Sequence, residues 1–177
     1  MIKTSRLARV AVAAAALFAT ASAFAEGTFT PELGIGQVSG GLVSHADSGR
    51  NKAPSVNAAF GYRWDSGIGV RALWIGGFNL AKDFLPDDSA RTFDEFYGVQ
   101  GTGTMQLAPK LNLNGGLGLG RTSLNKGTPG DHAQTTDGVV SAGLQYQPFS
   151  HFALELRADY LTRTHERNVV LMVEWPF

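Results

Sequence analysis

Seven ionisable side chains fall where an extended chain would turn them toward one side: Glu32, Arg63, Arg71, Glu155, Arg157, Asp159 and Glu174. Successive residues of a strand face opposite ways, so Glu155, Arg157 and Asp159 form an acid–base–acid row on a single face. Charges of both signs gathered in one interior must pair with each other or with trapped water, because an uncompensated buried charge is costly. The chemistry expected is therefore ion pairing, with Glu32, Glu155 and Glu174 meeting Arg63, Arg71 and Arg157. It would serve either as a static polar core or as a gate that rearranges to pass ions. No catalytic or metal-binding spacing competes with it. The four histidines, His45, His132, His151 and His165, are scattered, and no H-E-x-x-H or calcium-loop pattern occurs. The chain has no cysteine, which excludes disulfides, thiolate chemistry and zinc–thiolate sites. No metal and no cofactor is expected. The glycines at 116, 118 and 120 match neither a dinucleotide fingerprint nor a phosphate loop, and their period of two places them on one strand face.

Strands are the elements that must position these groups. Alternation over about ten residues, the length a tilted strand needs to cross a bilayer, recurs near residues 28–38, 55–64, 68–80 and 94–107, then 111–121, 137–147, 152–162 and 168–177. The connections fall into two classes. Asp65-Ser66-Gly67, Ala108-Pro109-Lys110 and Pro148-Phe149-Ser150-His151 are tight, whereas 39–54, 81–93, 122–136 and 163–167 are longer and polar. Long and short connections alternate, as an up-and-down barrel with both termini in the periplasm requires. By parity one face carries rows such as Leu33 and Ile35, Val56 to Trp64, and Leu111 to Leu119, with aromatic residues near the strand ends. The opposite face holds the charges with Asn57, Gln100, Asn112, Asn114, Ser141 and Gln145. Leu73, Ile75, Val170 and Met172 also fall on that face and do not suit a polar interior. A bulge in the third strand or a small apolar pocket high in the lumen would account for them.

Both ends of the chain carry address signals. Lys3, Arg6 and Arg9 precede the apolar run Val10 to Ala19, and Ala23-Phe24-Ala25 matches a small-residue cleavage site. Residues 1–25 are thus predicted to be a secretory signal peptide, leaving 26–177 as one domain; cleavage after Ala23 is the alternative. Losing those three bases leaves 12 Lys and Arg against 15 Asp and Glu, which makes nucleic acid an unsuitable partner. At the other end Val169, Leu171, Val173, Trp175 and Phe177 share one apolar face, opposite Val170, Met172 and Glu174.

With that closing strand the chain resembles bacterial outer-membrane β-barrels, and most nearly the small OmpA-transmembrane-domain and OmpX type. The resemblance implies an all-β fold, an eight-stranded antiparallel up-and-down transmembrane barrel in the outer membrane. It also implies that Trp175 and Phe177 are the insertion signal read by the barrel-insertion machinery. No cell-wall-binding domain is expected. The partners implied are outer-membrane lipid and lipopolysaccharide, and a host or phage surface reached through the outer loops, for a monomer without enzymatic activity. A narrow porin-like channel for ions or small solutes is the second expectation, and a secreted β-sandwich a third. A lipid A-modifying enzyme is the fourth, although the deacylase of that class uses a His-x-Ser pair, and Asp47, Gln134, Ala153 and Arg167 occupy that spacing here. Ser44, His45 and Asp47 are the nearest substitute for a triad, yet triad members normally converge from separated segments. Asp83, Asp87, Asp88, Asp94 and Glu95 could hold hard cations, and Arg163, His165 and Arg167 could contact phosphates.

Overall fold

The computed structural model describes residues 27–40, 52–77, 92–125 and 132–177. They form eight strands: β1 (Gly27–Ser39), β2 (Lys52–Trp64), β3 (Ile68–Gly77), β4 (Thr92–Ala108), β5 (Leu111–Asn125), β6 (His132–Phe149), β7 (Phe152–Leu161) and β8 (Arg167–Glu174). Each pairs antiparallel with its sequence neighbours and β1 pairs with β8, which closes the sheet into a barrel. Closure is the physical requirement for a sheet in hydrocarbon, where no water satisfies an unpaired backbone group. The seam runs from Ser39 opposite Arg167 down to Glu32 opposite Glu174. It continues to the last residue, because the Trp175 N–H donates to the Pro31 carbonyl at 3.1 Å and the Phe177 N–H to that of Phe29 at 2.8 Å.

The turns at residues 65–67, 109–110 and 150–151 are as tight as the sequence predicts. Gly67 takes a φ of 80° in the first, a conformation that a side chain disfavours, and Lys110 takes 70° in the second. At the opposite end the strands outrun the prediction. Residues 122–125 and 132–136, expected in a loop, continue the β5–β6 ladder from Thr122 opposite Thr135 to Asn125 opposite His132. Apolar alternation stops where the bilayer stops, whereas backbone pairing continues into water. The predicted end of β3 at residues 78–80 lies outside the described residues, as do Ser44, His45 and Asp47 and the acidic cluster at Asp83, Asp87 and Asp88.

The wall has two faces. Ile35 is 72% exposed and Leu117 and Leu119 are each 68% exposed, all on the outside, while Glu32, Asn57, Gln100, Glu155 and Arg157 are buried within. Phe29 packs edge-on against Phe60 at 4.4 Å between ring centroids, and Tyr62 against Trp64 at 5.3 Å, forming an aromatic band toward the periplasmic rim.

Leu73 and Ile75 do point inward, and β3 shows no bulge against either neighbour, so that explanation of their parity fails. Nor is the lumen polar throughout. Leu73, Ile75, Phe96, Val170 and Met172 are buried with Val38, Phe93, Val139 and Leu161 in one apolar cluster inside the barrel. It is packed rather than hollow. Phe96 fits because Gly120 faces it, where an added Cβ would strike both the ring and the Tyr97 carbonyl. Substituting Leu117 by Arg places a charge on the outer wall near mid-barrel. Equilibrium refolding into lipid vesicles is expected to show a loss of about 2–4 kcal/mol, with little change for the same substitution at the outer-rim Thr136.

Candidate functional site

Each lumen charge is placed by strand parity and then by register. Glu32 on β1 accepts from Arg71 Nε at 2.8 Å and from Arg157 Nη1 at 2.9 Å, one guanidinium on each carboxylate oxygen. Arg71 belongs to β3 and Arg157 to β7, two staves away from β1 in opposite directions, so these bonds cross the lumen. Glu155 Oε2 stands 3.5 Å from both guanidinium groups, and its Oε1 accepts from Asn114 at 2.8 Å. Arg157 Nε reaches Asp159 at 3.1 Å. Glu174 accepts from the Gln145 amide.

Neutral groups extend the network toward the outer end. Asp159 accepts from Ser141 at 2.6 Å and from Asn168 at 2.9 Å; Ser141 in turn accepts from Gln100, and Asn168 donates to Asn57 at 2.8 Å. All are buried. Charge-assisted bonds of this kind are strong, and in a low-dielectric interior each holds its partner's conformation.

Six of the seven predicted lumen charges therefore meet in one cluster, and Arg63 does not. Its cross-strand partners are Thr28 and Gly69, and among the described residues it makes no ion pair. The expected pairing with Glu32 fails on height. Glu32 lies opposite Ala59, four residues from Arg63, or about 13 Å along the strand. Arg63 instead lines a vestibule of about 560 Å³ at the turn end of the barrel, together with Thr28, Asp65, Lys110, Asn112 and Gln147. Trp175 and Phe177 stand apart from the lumen charges at the seam, where Phe177 is 70% exposed.

A second polar site was not legible in the sequence. Asp137 is buried and accepts from the backbone N–H of Arg163 at 2.7 Å and of Thr164 at 3.1 Å, and from the Thr164 hydroxyl at 2.6 Å. The turn joining β7 to β8 is thereby held to β6. Inward parity two residues before Val139 was the available signal; nothing in the sequence marked its partners. In the same turn the Tyr160 hydroxyl and His165 Nδ1 are hydrogen-bonded at 2.7 Å. Among the described residues on this outer side every carboxylate is buried or half-buried, whereas Lys52, Arg121, Arg163 and Arg167 are exposed.

A model of the outer membrane protein β-barrel domain matches residues 11–174. No curated protein matches the chain. Among solved structures, Neisserial surface protein A is similar at 14% identity and a TM-score of 0.59, over 85% of this chain and 97% of that one. The attachment invasion locus protein Ail of Yersinia pestis, solved in complex with the heparin analogue sucrose octasulfate, is similar at 18% identity and a TM-score of 0.52, covering 86% and 99%. The N-terminal β-barrel domain of Pseudomonas aeruginosa OprF gives 14% identity and 0.56, covering 84% and 97%. At these identities the likeness is one of fold.

The two kinds of lumen arginine separate by energetics. Arg157→Met leaves Glu32, Glu155 and Asp159 short of a buried cation and is expected to cost about 3–5 kcal/mol. Arg63→Met removes no ion pair and is expected to change stability by no more than about 0.5 kcal/mol. Guanidinium unfolding of both variants in lipid vesicles measures the difference.

Proposed function

The chain belongs to the outer membrane protein β-barrel family, and on that premise we propose that it is a plugged, non-enzymatic barrel whose outer rim binds polyanionic surfaces. The observation that carries this reading is the sorting of charge. Lys52, Arg121, Arg163 and Arg167 stand exposed at the outer ends of the staves, and the described carboxylates nearby are turned inward or half-covered. Arg167 lies beside Tyr160 on β7 and Ser39 on β1, at the level where an aromatic belt meets headgroups. Guanidinium groups recognise phosphate bidentately, so lipopolysaccharide phosphates in the surrounding leaflet are the first partner, and an anionic host or phage surface the second. That the similar fold of Ail was solved with a sulfated sugar supports polyanions as the ligand class.

The remaining parts of the proposal concern export and assembly. Residues 1–25 act as a cleaved signal peptide, and Trp175 with Phe177 forms the insertion signal of a monomeric barrel. That β8 pairs with β1 to its final residue supports this reading, since the terminal aromatic then sits on the last segment to close the seam. Against the channel reading stands a lumen occupied by buried side chains, the apolar cluster and the ion-pair network.

The test is binding of purified, lipopolysaccharide-free protein to phosphorylated and dephosphorylated lipid A. Arg163→Gln with Arg167→Gln is expected to weaken binding to the phosphorylated form about tenfold, while heat-modifiable gel migration stays normal. Unchanged affinity in the double variant, or equal affinity for both lipids, overturns the proposal.

A further inference from the structure

The lumen network is not balanced in charge. Four carboxyl groups, Glu32, Glu155, Glu174 and Asp159, are buried against two buried guanidinium groups, Arg71 and Arg157, a formal excess of two acids. Arg63 stands at the turn-side edge of the same region, half-exposed and without an ion pair among the described residues. The excess is concentrated at the seam, where Glu174 is the cross-strand neighbour of Glu32 and like charges oppose one another.

Three oxygens, one each from Glu32, Glu155 and Glu174, lie within 4.8 Å of one another. A triangle of that size has a centre no more than about 2.8 Å from each corner. This is near the 2.3–2.6 Å that calcium takes with carboxylates and well beyond the 2.0–2.1 Å of magnesium. The side chains leave room for such an ion. Glu174 is 1% exposed, yet its Oε1 has no hydrogen-bond donor, and Glu155 Oε2 has only the two guanidinium nitrogens at 3.5 Å. A cavity of about 30 Å³, lined by Glu32, Glu174, Arg71, Asn114 and Gln145, lies beside two of the three carboxylates and is large enough for one ion or water. Arg157 Nη2 also lacks an acceptor, which a water bound to the cation would provide.

We propose that Glu32, Glu155 and Glu174 bind a calcium-sized divalent cation inside the closed barrel. The ion offsets the two excess charges, supplies the unpartnered Glu174 oxygen, and joins β1, β7 and β8 across the seam. Arg71 and Arg157 hold Glu32 and Glu155 in place beside it.

The experiment uses the full barrel refolded in lipopolysaccharide-free detergent with a chelator, then titrated with calcium chloride or magnesium chloride at constant ionic strength. The temperature at which the folded gel band is lost is expected to rise by about 5 °C with saturating calcium and less with magnesium. Radioactive calcium in equilibrium dialysis is expected to bind at one ion per chain. Glu174→Gln, which keeps size and the Gln145 contact region, is expected to abolish both responses. Asp87→Asn with Asp88→Asn, in an acidic segment elsewhere in the chain, is expected to retain them. No calcium response in the wild type, a response that survives Glu174→Gln, or one lost in the Asp87 and Asp88 variant overturns the proposal. Should Glu174→Gln fail to fold, the wild-type dialysis decides alone: no bound calcium at millimolar concentration refutes the site.

Discussion

The seam is where this barrel is most constrained, because joining β1 to β8 sets Glu32 directly opposite Glu174. Two carboxylates side by side in a low-dielectric interior repel, yet sliding one strand by a single residue to part them would turn one of the apolar rows, Leu33 and Ile35 or Leu171 and Val173, off the hydrocarbon side. The repulsion is met from across the lumen. Arg71 comes from β3 and Arg157 from β7, and both converge on Glu32. Bonds between staves that are not neighbours tie the cylinder across its axis, which backbone ladders between adjacent strands cannot do. The charged network is therefore part of what closes the barrel as well as what fills it.

Filling follows from stave number. Eight strands enclose a space just wide enough for side chains, so each large inward residue needs a small one facing it. Phe96 lies against Gly120, Gln100 against Gly116 and Glu155 against Gly143. At these positions glycine is a packing requirement of a narrow lumen, and among the described residues a left-handed turn demands it at Gly67. The same complementarity explains the apolar cluster around Leu73 and Ile75. Above the ion-pair layer a chain of hydrogen bonds runs through Asp159, Asn168 and Asn57, and the apolar cluster fills space beside it. An apolar side chain there leaves no buried polar atom to satisfy.

Much of this was legible because parity is a local property. The outward rows, the alternation of tight and long connections, and the closing aromatic strand identified eight staves and told which side Arg71 and Arg157 face. Height in the lumen is not local. It depends on register: the β1–β2 ladder sets Trp64 opposite Gly27 and hence Arg63 opposite Thr28, one vestibule away from the carboxylates. The extra strand length at residues 122–125 and 132–136 escaped for a related reason, since hydrophobic alternation records immersion in lipid and not the ladder itself. Asp137 escaped because its partners are backbone amides and a hydroxyl of a distant turn, which no spacing encodes.

That turn links the rigid interior to the surface. Asp137 binds the amides of Arg163 and Thr164, so the backbone carrying Arg163 is fixed relative to β6, while Arg167 is fixed by the ladder that begins β8. Cations presented from anchored backbone lose less freedom on meeting a phosphate than cations on a loose loop. The charge sorting acts in the same direction, for the nearby Asp137 is taken up by the turn amides and the Thr164 hydroxyl, and Glu95 accepts from the Trp74 indole. Lumen and rim are in this sense one arrangement: by holding carboxylates inside, the closed core leaves the described outer edge free to attract anions.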